Sequence, residues 1–164
     1  MFSVFKNINR FAGKSKLLDV FAIFCARLLP YLLVIFLFFY SIWAANFYLF
    51  VLAVLSGLSA RFVINELVYL FYKEQRPALT EKTKTLIPVP KNYSFPSGHS
   101  SFFFGISFFL FFNDFYLGAT FIALSFMVGV ARVFCGVHWF RDILGGCAAG
   151  LLSALVIHYL SIII

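Results

Sequence analysis

The sequence predicts an all-α fold: a polytopic membrane helical bundle of about five transmembrane helices, or six, with its active site near one membrane face. Three observations carry that expectation. Hydrophobic residues make up 63% of the 164 residues and charged residues only 12%, mean hydropathy is +0.98, and 25 residues are Phe. So few charges cannot cover the surface of a soluble domain this size, which excludes a cytosolic globular protein, a disordered chain and a secreted disulfide scaffold. Five apolar stretches approach or exceed the roughly 20 residues that cross a bilayer. No strand alternation of a barrel is visible, and backbone groups in lipid must bond within their own segment, so the stretches are read as helices of one integral-membrane domain, 1–164.

A basic tail (Lys6, Arg10, Lys14, Lys16) precedes the first stretch, roughly 17–40, which Arg27 and Pro30 interrupt. A second apolar run follows and no clean small-residue cleavage site is visible, so the first is read as retained and not as a signal peptide. The second stretch, roughly 42–72, is too long for a simple perpendicular span. A polar loop, 73–97, holds Lys73, Arg76, Lys82, Lys84 and Lys91. The third stretch, about 98–112, turns at Asn113-Asp114; the fourth runs from about 115 to 134 and the fifth from about 138 to 163. The net charge of +7 comes largely from the tail and the loop and forms no continuous stripe. Basic residues beside bilayer-length segments meet headgroups or phosphate, so the bilayer is the expected partner and nucleic acid is not. Cys25, Cys135 and Cys147 are odd in number and lack C-x-x-C spacing, and are read as small core residues. Gly146 and Gly150 stand in G-x-x-x-G spacing and are assigned to internal helix packing in preference to dimerisation.

Polar groups are expensive at bilayer depth and therefore informative. Three clusters stand at helix ends: Lys73-Glu74-Gln75-Arg76-Pro77, Phe95-Pro96-Ser97-Gly98-His99-Ser100, and Ala131-Arg132 with His138 and Asp142. In the second, a turn leads into a helix whose free N–H groups form a phosphate seat, with Ser97 and His99 adding donors. In the third, Asp142 follows His138 by four residues on one expected helical face, so the carboxylate can take the Nδ1 proton and leave Nε2 bare. Such an imidazole serves as general base, metal ligand or nucleophile toward phosphorus. A helix-start ion pair of Arg132 or Arg141 with Asp142 is the structural alternative. Taken together, Arg76, Arg132 and the Ser97/Gly98 N–H groups would hold a phosphoryl group, His138 would attack it, and His99 would protonate the leaving oxygen. No H-E-x-x-H and no paired carboxylates point to a metal, so no metal and no cofactor is expected. Arg27 and Arg61, inside apolar segments, are read as snorkelling or internally hydrogen-bonded, although Arg61 shares an i, i+4 stripe with Asn65, Tyr69 and Lys73. His158 is read as interfacial, and the Phe run 102–112 as lipid contact or packing.

Arg76-Pro77, Pro96-Ser97-Gly98-His99 and Arg132-(five)-His138-(three)-Asp142 resemble the signature of the type 2 phosphatidic acid phosphatase family, relatives of the vanadium haloperoxidases. Residues 78–95 and 100–130 separate the motifs as that family's helical layout requires. Gly136-Val137-His138-Trp139, Asp142 to Gly146 and the stretch Asn9 to Ser15 are similar to bacterial undecaprenyl-diphosphate phosphatases of the bacitracin-resistance type. The resemblance implies a metal-independent phosphatase acting on a membrane lipid phosphate or diphosphate, first of all undecaprenyl diphosphate, with phosphatidic acid or phosphatidylglycerol phosphate as alternatives. It implies a phosphohistidine on His138, oriented by Asp142, with His99 as acid and then base, and phosphate held by Arg76, Ser97, Gly98 and Arg132. Two positions depart. The family Lys falls on Tyr69, with Lys73 one turn later as a substitute, and Ala131 replaces a Ser, removing one hydrogen bond worth on the order of 1 kcal/mol.

Five spans with a basic amino terminus inside place loop 73–97 in the cytoplasm. The resemblance implies instead an extracytoplasmic site in a bacterial inner membrane, and that is the expectation retained. A non-catalytic lipid-binding protein with a degenerate site, and a serine hydrolase using Ser97, are the competing classes; the latter lacks the G-x-S-x-G elbow.

Overall fold

The computed structural model describes residues 2–81 and 83–163; Lys82 lies outside the described residues. Helix α1 (Phe2–Asn9) is followed by α2 (Lys16–Trp43), α3 (Phe47–Phe71), the single turn α4 (Pro77–Thr80), α5 (Gly98–Asn113), α6 (Phe115–Phe134) and α7 (Phe140–Ile163). Among the described residues α2, α3, α6 and α7 are long and apolar enough to cross a membrane. Helix α5, with 16 residues, is shorter, and it forms the buried centre against which α3, α6 and α7 pack. The protein is an integral membrane helical bundle, as the hydropathy predicts.

Local chemistry sets the helix ends. Asn46 caps α3 by accepting from the Leu49 N–H at 3.1 Å, and Asp114 caps α6 by accepting from Leu117 at 3.0 Å. These caps split the expected stretch 42–72 at Ala44–Asn46 and fix the Asn113-Asp114 turn. The fifth helix begins at Phe140, not 138, because the Asp142 carboxylate in its first turn reaches back to the Trp139 N–H at 2.9 Å, leaving His138 just outside.

Both long entry helices contain a π turn, at Phe24–Leu28 in α2 and Ala60–Ile64 in α3, each holding an arginine. The first lies just before Pro30. Pro30 lacks an N–H, so the Ala26 carbonyl one turn earlier loses its helical donor. Arg132 NH1 of α6 donates to it at 3.3 Å instead. Arg27 itself is exposed.

Small residues let the bundle close around α5. A β-carbon at Gly150 would lie 2.6 Å from the Gly105 nitrogen, and one at Gly105 2.9 Å from the Gly57 α-carbon. Serines bridge the same region: Ser153 Oγ donates to the Ser56 carbonyl at 2.8 Å, and Ser56 Oγ to the Gly105 carbonyl at 2.9 Å. The G-x-x-x-G of α7 thus serves internal packing against α5. Gly150→Leu is expected to destabilise the fold by about 2–3 kcal/mol, since the backbone offers no room. A melting temperature in detergent equal to wild type would show that α5 and α7 do not meet there.

The amino-terminal segment is structured beyond expectation. Phe5 is buried against Trp139, ring centroids 5.0 Å apart, and Asn9 Nδ2 donates to the Lys84 and Phe134 carbonyls at 3.0 and 2.8 Å. At the other end of the bundle His158 meets Asn113 at 3.5 Å and the Phe112 ring at 5.2 Å. His158 therefore has partners at the end of α5 away from Gly98. Cys25 and Cys135 are buried and Cys147 half-buried, all as free thiols.

Candidate active site

Asp142 is fully buried, and its Oδ2 accepts from Ser94 Oγ at 2.5 Å, Trp139 N at 2.9 Å and His138 Nδ1 at 3.1 Å. The opposite nitrogen, Nε2, lies 2.9 Å from Arg76 NH1. A guanidinium has only donors, so Nε2 is the acceptor and the ring proton sits on Nδ1, directed at Asp142. The i, i+4 pair expected on one helix face forms across a helix start instead. Arg141 does not compete for Asp142, because it pairs with Glu74.

Arg76 is 3% exposed and is held on all sides. Its Nε donates to the Asn92 carbonyl at 3.0 Å and NH2 to Asn92 Oδ1 at 2.7 Å and the Tyr93 carbonyl at 3.1 Å. Its NH1 donates to the Val137 carbonyl at 2.8 Å as well as to His138. Trp139 Nε1 donates to the Gln75 carbonyl at 3.0 Å, adding a second tie between the first and third motifs. Burial, reinforced by Arg132 and Arg76, holds the His138 imidazole well below its ordinary value of 6.5. The ring is neutral at pH 7.

Ser97 caps α5, accepting from the Ser100 N–H at 3.5 Å, and its own N–H donates to the Asp142 carbonyl at 3.0 Å. The second motif is thereby docked onto the third. Gly98 is buried, and His99 is half-buried on the wall of a groove of about 420 Å³ between α2, α3 and α5. Arg132, 5% exposed, keeps its Nε buried and without a hydrogen-bond partner, a donor available to a ligand. Ala131 packs with Ala22, Cys25 and Ala26, so the position expected to carry a hydroxyl is apolar contact with α2.

The structure therefore brings His138, Asp142, Arg76, Ser97, Gly98, His99 and Arg132 to one end of the bundle. It does not bring Lys73. Helix α3 ends at Phe71, Tyr72 is extended at φ −131 and ψ 100, and Lys73 is exposed, its side chain making no ion pair or hydrogen bond among the described residues. The i, i+4 step that would carry it onto the Tyr69 face does not form. Tyr69 itself donates through its hydroxyl to the Pro96 carbonyl at 2.9 Å, so it shapes the loop at the position where the resemblance implies a Lys.

Sequence reasoning missed Ser94, which carries no motif and reaches Asp142 only through the loop. It noted the stripe that Arg61 shares with Asn65 and Tyr69 but did not count Arg61 among the site residues. A β-carbon at Gly98 would fall on the Arg61 guanidinium, placing that residue at the start of α5. Its position inside an apolar segment was the available signal.

Among described residues, no three His, Cys, Asp or Glu side chains cluster as metal ligands would. In fold the chain is similar to Aquifex aeolicus LpxE, with TM-score 0.74 and 25% identity over 95% of this chain and 93% of that one. It is also similar in fold to the first transmembrane PAP2 type phosphatidylglycerolphosphate phosphatase from Bacillus subtilis, with TM-score 0.72 and 22% identity, covering 99% of this chain and 86% of that one. In sequence it is 34% identical over 101 residues to undecaprenyl-diphosphatase BcrC of Bacillus subtilis (strain 168), which is 62% of this chain and 50% of that protein. It is 36% identical over 63 residues to the putative undecaprenyl-diphosphatase YbjG of Escherichia coli (strain K12), 38% of this chain and 32% of that protein. The match thus spans half of BcrC and about a third of YbjG. Residues 47–162, which hold all three motifs, match the family described as the PAP2 superfamily, and the chain belongs to it.

Proposed function

We propose that this protein is a membrane phosphatase that removes the terminal phosphoryl group of a lipid diphosphate, undecaprenyl diphosphate first of all, through a phosphohistidine on His138. The observation that carries this is the buried relay Ser94–Asp142–His138, whose last member presents an unprotonated Nε2 to Arg76. That nitrogen attacks phosphorus and the bond from phosphorus to the leaving oxygen breaks. His99, protonated once the phosphate's negative charge offsets the arginines around it, supplies the proton the leaving oxygen needs. The imidazolium so formed keeps its Nδ1 proton on the Asp142 carboxylate, which stabilises the charge. Arg76 NH1, released from Nε2, turns to a phosphoryl oxygen, joined by Arg132 and the N–H groups at the start of α5. In the second half His99 takes a proton from water, the water oxygen bonds to phosphorus, and the nitrogen–phosphorus bond breaks to release phosphate. The identity to BcrC and YbjG supports undecaprenyl diphosphate, and the fold shared with the phosphatidylglycerolphosphate phosphatase makes monophosphate lipids the comparison. The side of the membrane implied by the resemblance, extracytoplasmic in a bacterial inner membrane, belongs to the same proposal.

The test is phosphate release by purified protein from undecaprenyl diphosphate and from phosphatidic acid, with EDTA present and with and without vanadate. Release from the diphosphate, insensitive to EDTA and inhibited by vanadate, is the expected result. Activity lost to EDTA and restored by Mg²⁺ contradicts the mechanism; release from phosphatidic acid alone contradicts the substrate.

A further inference from the structure

We infer that Arg61 is a substrate-binding residue that holds the inner phosphate of a lipid diphosphate, the one that stays with the lipid, between the His138 centre and the apolar groove. This rests on the phosphatase reading for its chemistry, but its geometry stands apart.

Arg61 sits in the π turn of α3. One turn on, Asn65 Oδ1 accepts from Ser101 Oγ at 2.8 Å, and two turns on, Tyr69 donates to the Pro96 carbonyl. The stripe Arg61–Asn65–Tyr69 thus lies along the Pro96–Ser101 segment, and the guanidinium occupies the space that a side chain at residue 98 would need. Glycine at that position is what admits it. Among the described residues Arg61 makes no ion pair or hydrogen bond, and its one cation–π contact is the Phe62 ring at 5.1 Å. With His99 it supplies the basic side chains of a groove otherwise walled by residues such as Pro30, Tyr31, Leu58 and Phe102.

Charge decides what belongs there. Arg61 lies within electrostatic reach of Arg76 and of His138, so its guanidinium converges with those of Arg76 and Arg132 on one end of the bundle. The carboxylate at that place, Asp142, is occupied by Ser94, Trp139 and His138. A lipid diphosphate carries more negative charge than a single phosphoryl group, and Arg61 is the guanidinium left for the added phosphate once Arg76 and Arg132 hold the terminal one. Position matches as well. Arg76 touches Nε2, where the terminal phosphorus must come, while Arg61 stands beside His99, on the path from the leaving oxygen into the groove. A phosphate joined to the leaving oxygen meets Arg61, and its hydrocarbon continues along Phe102 and Tyr31.

The test compares wild type, Arg61→Gln and Arg61→Lys in the full chain, with farnesyl diphosphate and farnesyl monophosphate as substrates of identical tail. The ratio of kcat/KM for diphosphate over monophosphate is expected to fall roughly 10- to 100-fold in Arg61→Gln, through KM, with partial recovery in Arg61→Lys, as loss of a charge-assisted contact predicts. An unchanged ratio, whether activity is retained or lost equally on both, overturns the inference. Calorimetric titration with methylenediphosphonate against methylphosphonate separates it from the phosphatase reading. Wild type that hydrolyses neither lipid but prefers the diphosphonate in an Arg61-dependent way refutes the activity and upholds the site. No such preference refutes the site.

Discussion

His138→Ala is expected to lower phosphate release by roughly four orders of magnitude or more, the scale seen when the nucleophile of a catalytic relay is removed. The variant should still fold. His138 is 1% exposed, and its loss leaves Asp142 two donors, Ser94 and Trp139, so the carboxylate remains paired. The cost in stability is that of one buried hydrogen bond and a small void, about 1–3 kcal/mol. The same residue sets the acid limb of the wild-type pH profile. Because burial and the neighbouring arginines depress its proton affinity, the neutral nucleophile persists as pH falls through 6.5. A kcat/KM profile titrating near 6.5 or above through His138 would contradict the buried geometry, and equal release by His138→Ala would remove it as nucleophile.

Asp142 carries the second large effect, and two substitutions divide it. Asp142→Ala strands three buried donors at once, from Ser94, Trp139 and His138, and unfastens the first turn of α7. A loss of about 3–5 kcal/mol is expected, visible as a lowered melting temperature in detergent. Asp142→Asn keeps the shape but presents an amide, so His138 is no longer held with its proton on Nδ1. Release is expected to fall about 10⁴-fold while most of the stability survives. Full activity in Asp142→Asn would mean that Arg76 alone fixes the tautomer.

The motif residues were legible because their types are out of place in an apolar chain. A Pro-Ser-Gly-His turn before a Phe-rich helix, or Arg132 and His138 at a helix junction, has little packing reason to exist. Legibility failed where a role depends on distance in sequence or on the end of a helix. Arg61 meets Gly98 across 37 positions, and only the folded bundle shows that the missing side chain of one makes room for the other. Lys73 was placed by extending helical periodicity past the point where α3 stops. The His138–Asp142 pair was expected at the right spacing for a partly wrong reason, since the capping contact to Trp139 starts the helix after His138. Helix α1 escaped notice because eight residues are too few for a bilayer-length signal, yet Phe5 anchors it on Trp139. Of the long-range contacts, Arg132 to Ala26 has a cause that can be traced, the absent donor of Pro30, but its partner could not be named from sequence.

The bonds from Asn9 to Lys84 and Phe134 stitch α1 to the connection that runs between Arg76 and Ser97 and to the end of α6. Amino-terminal helix and reaction centre are consequently bound to share one aqueous compartment, whatever the orientation of the bundle. Vectoriality, ordinarily a problem for lipid assays on sealed vesicles, reduces to locating a single surface label. Asn7 on α1 is exposed, while the native thiols are buried or half-buried, so a cysteine introduced there and probed with an impermeant reagent reports on which leaflet phosphate is set free.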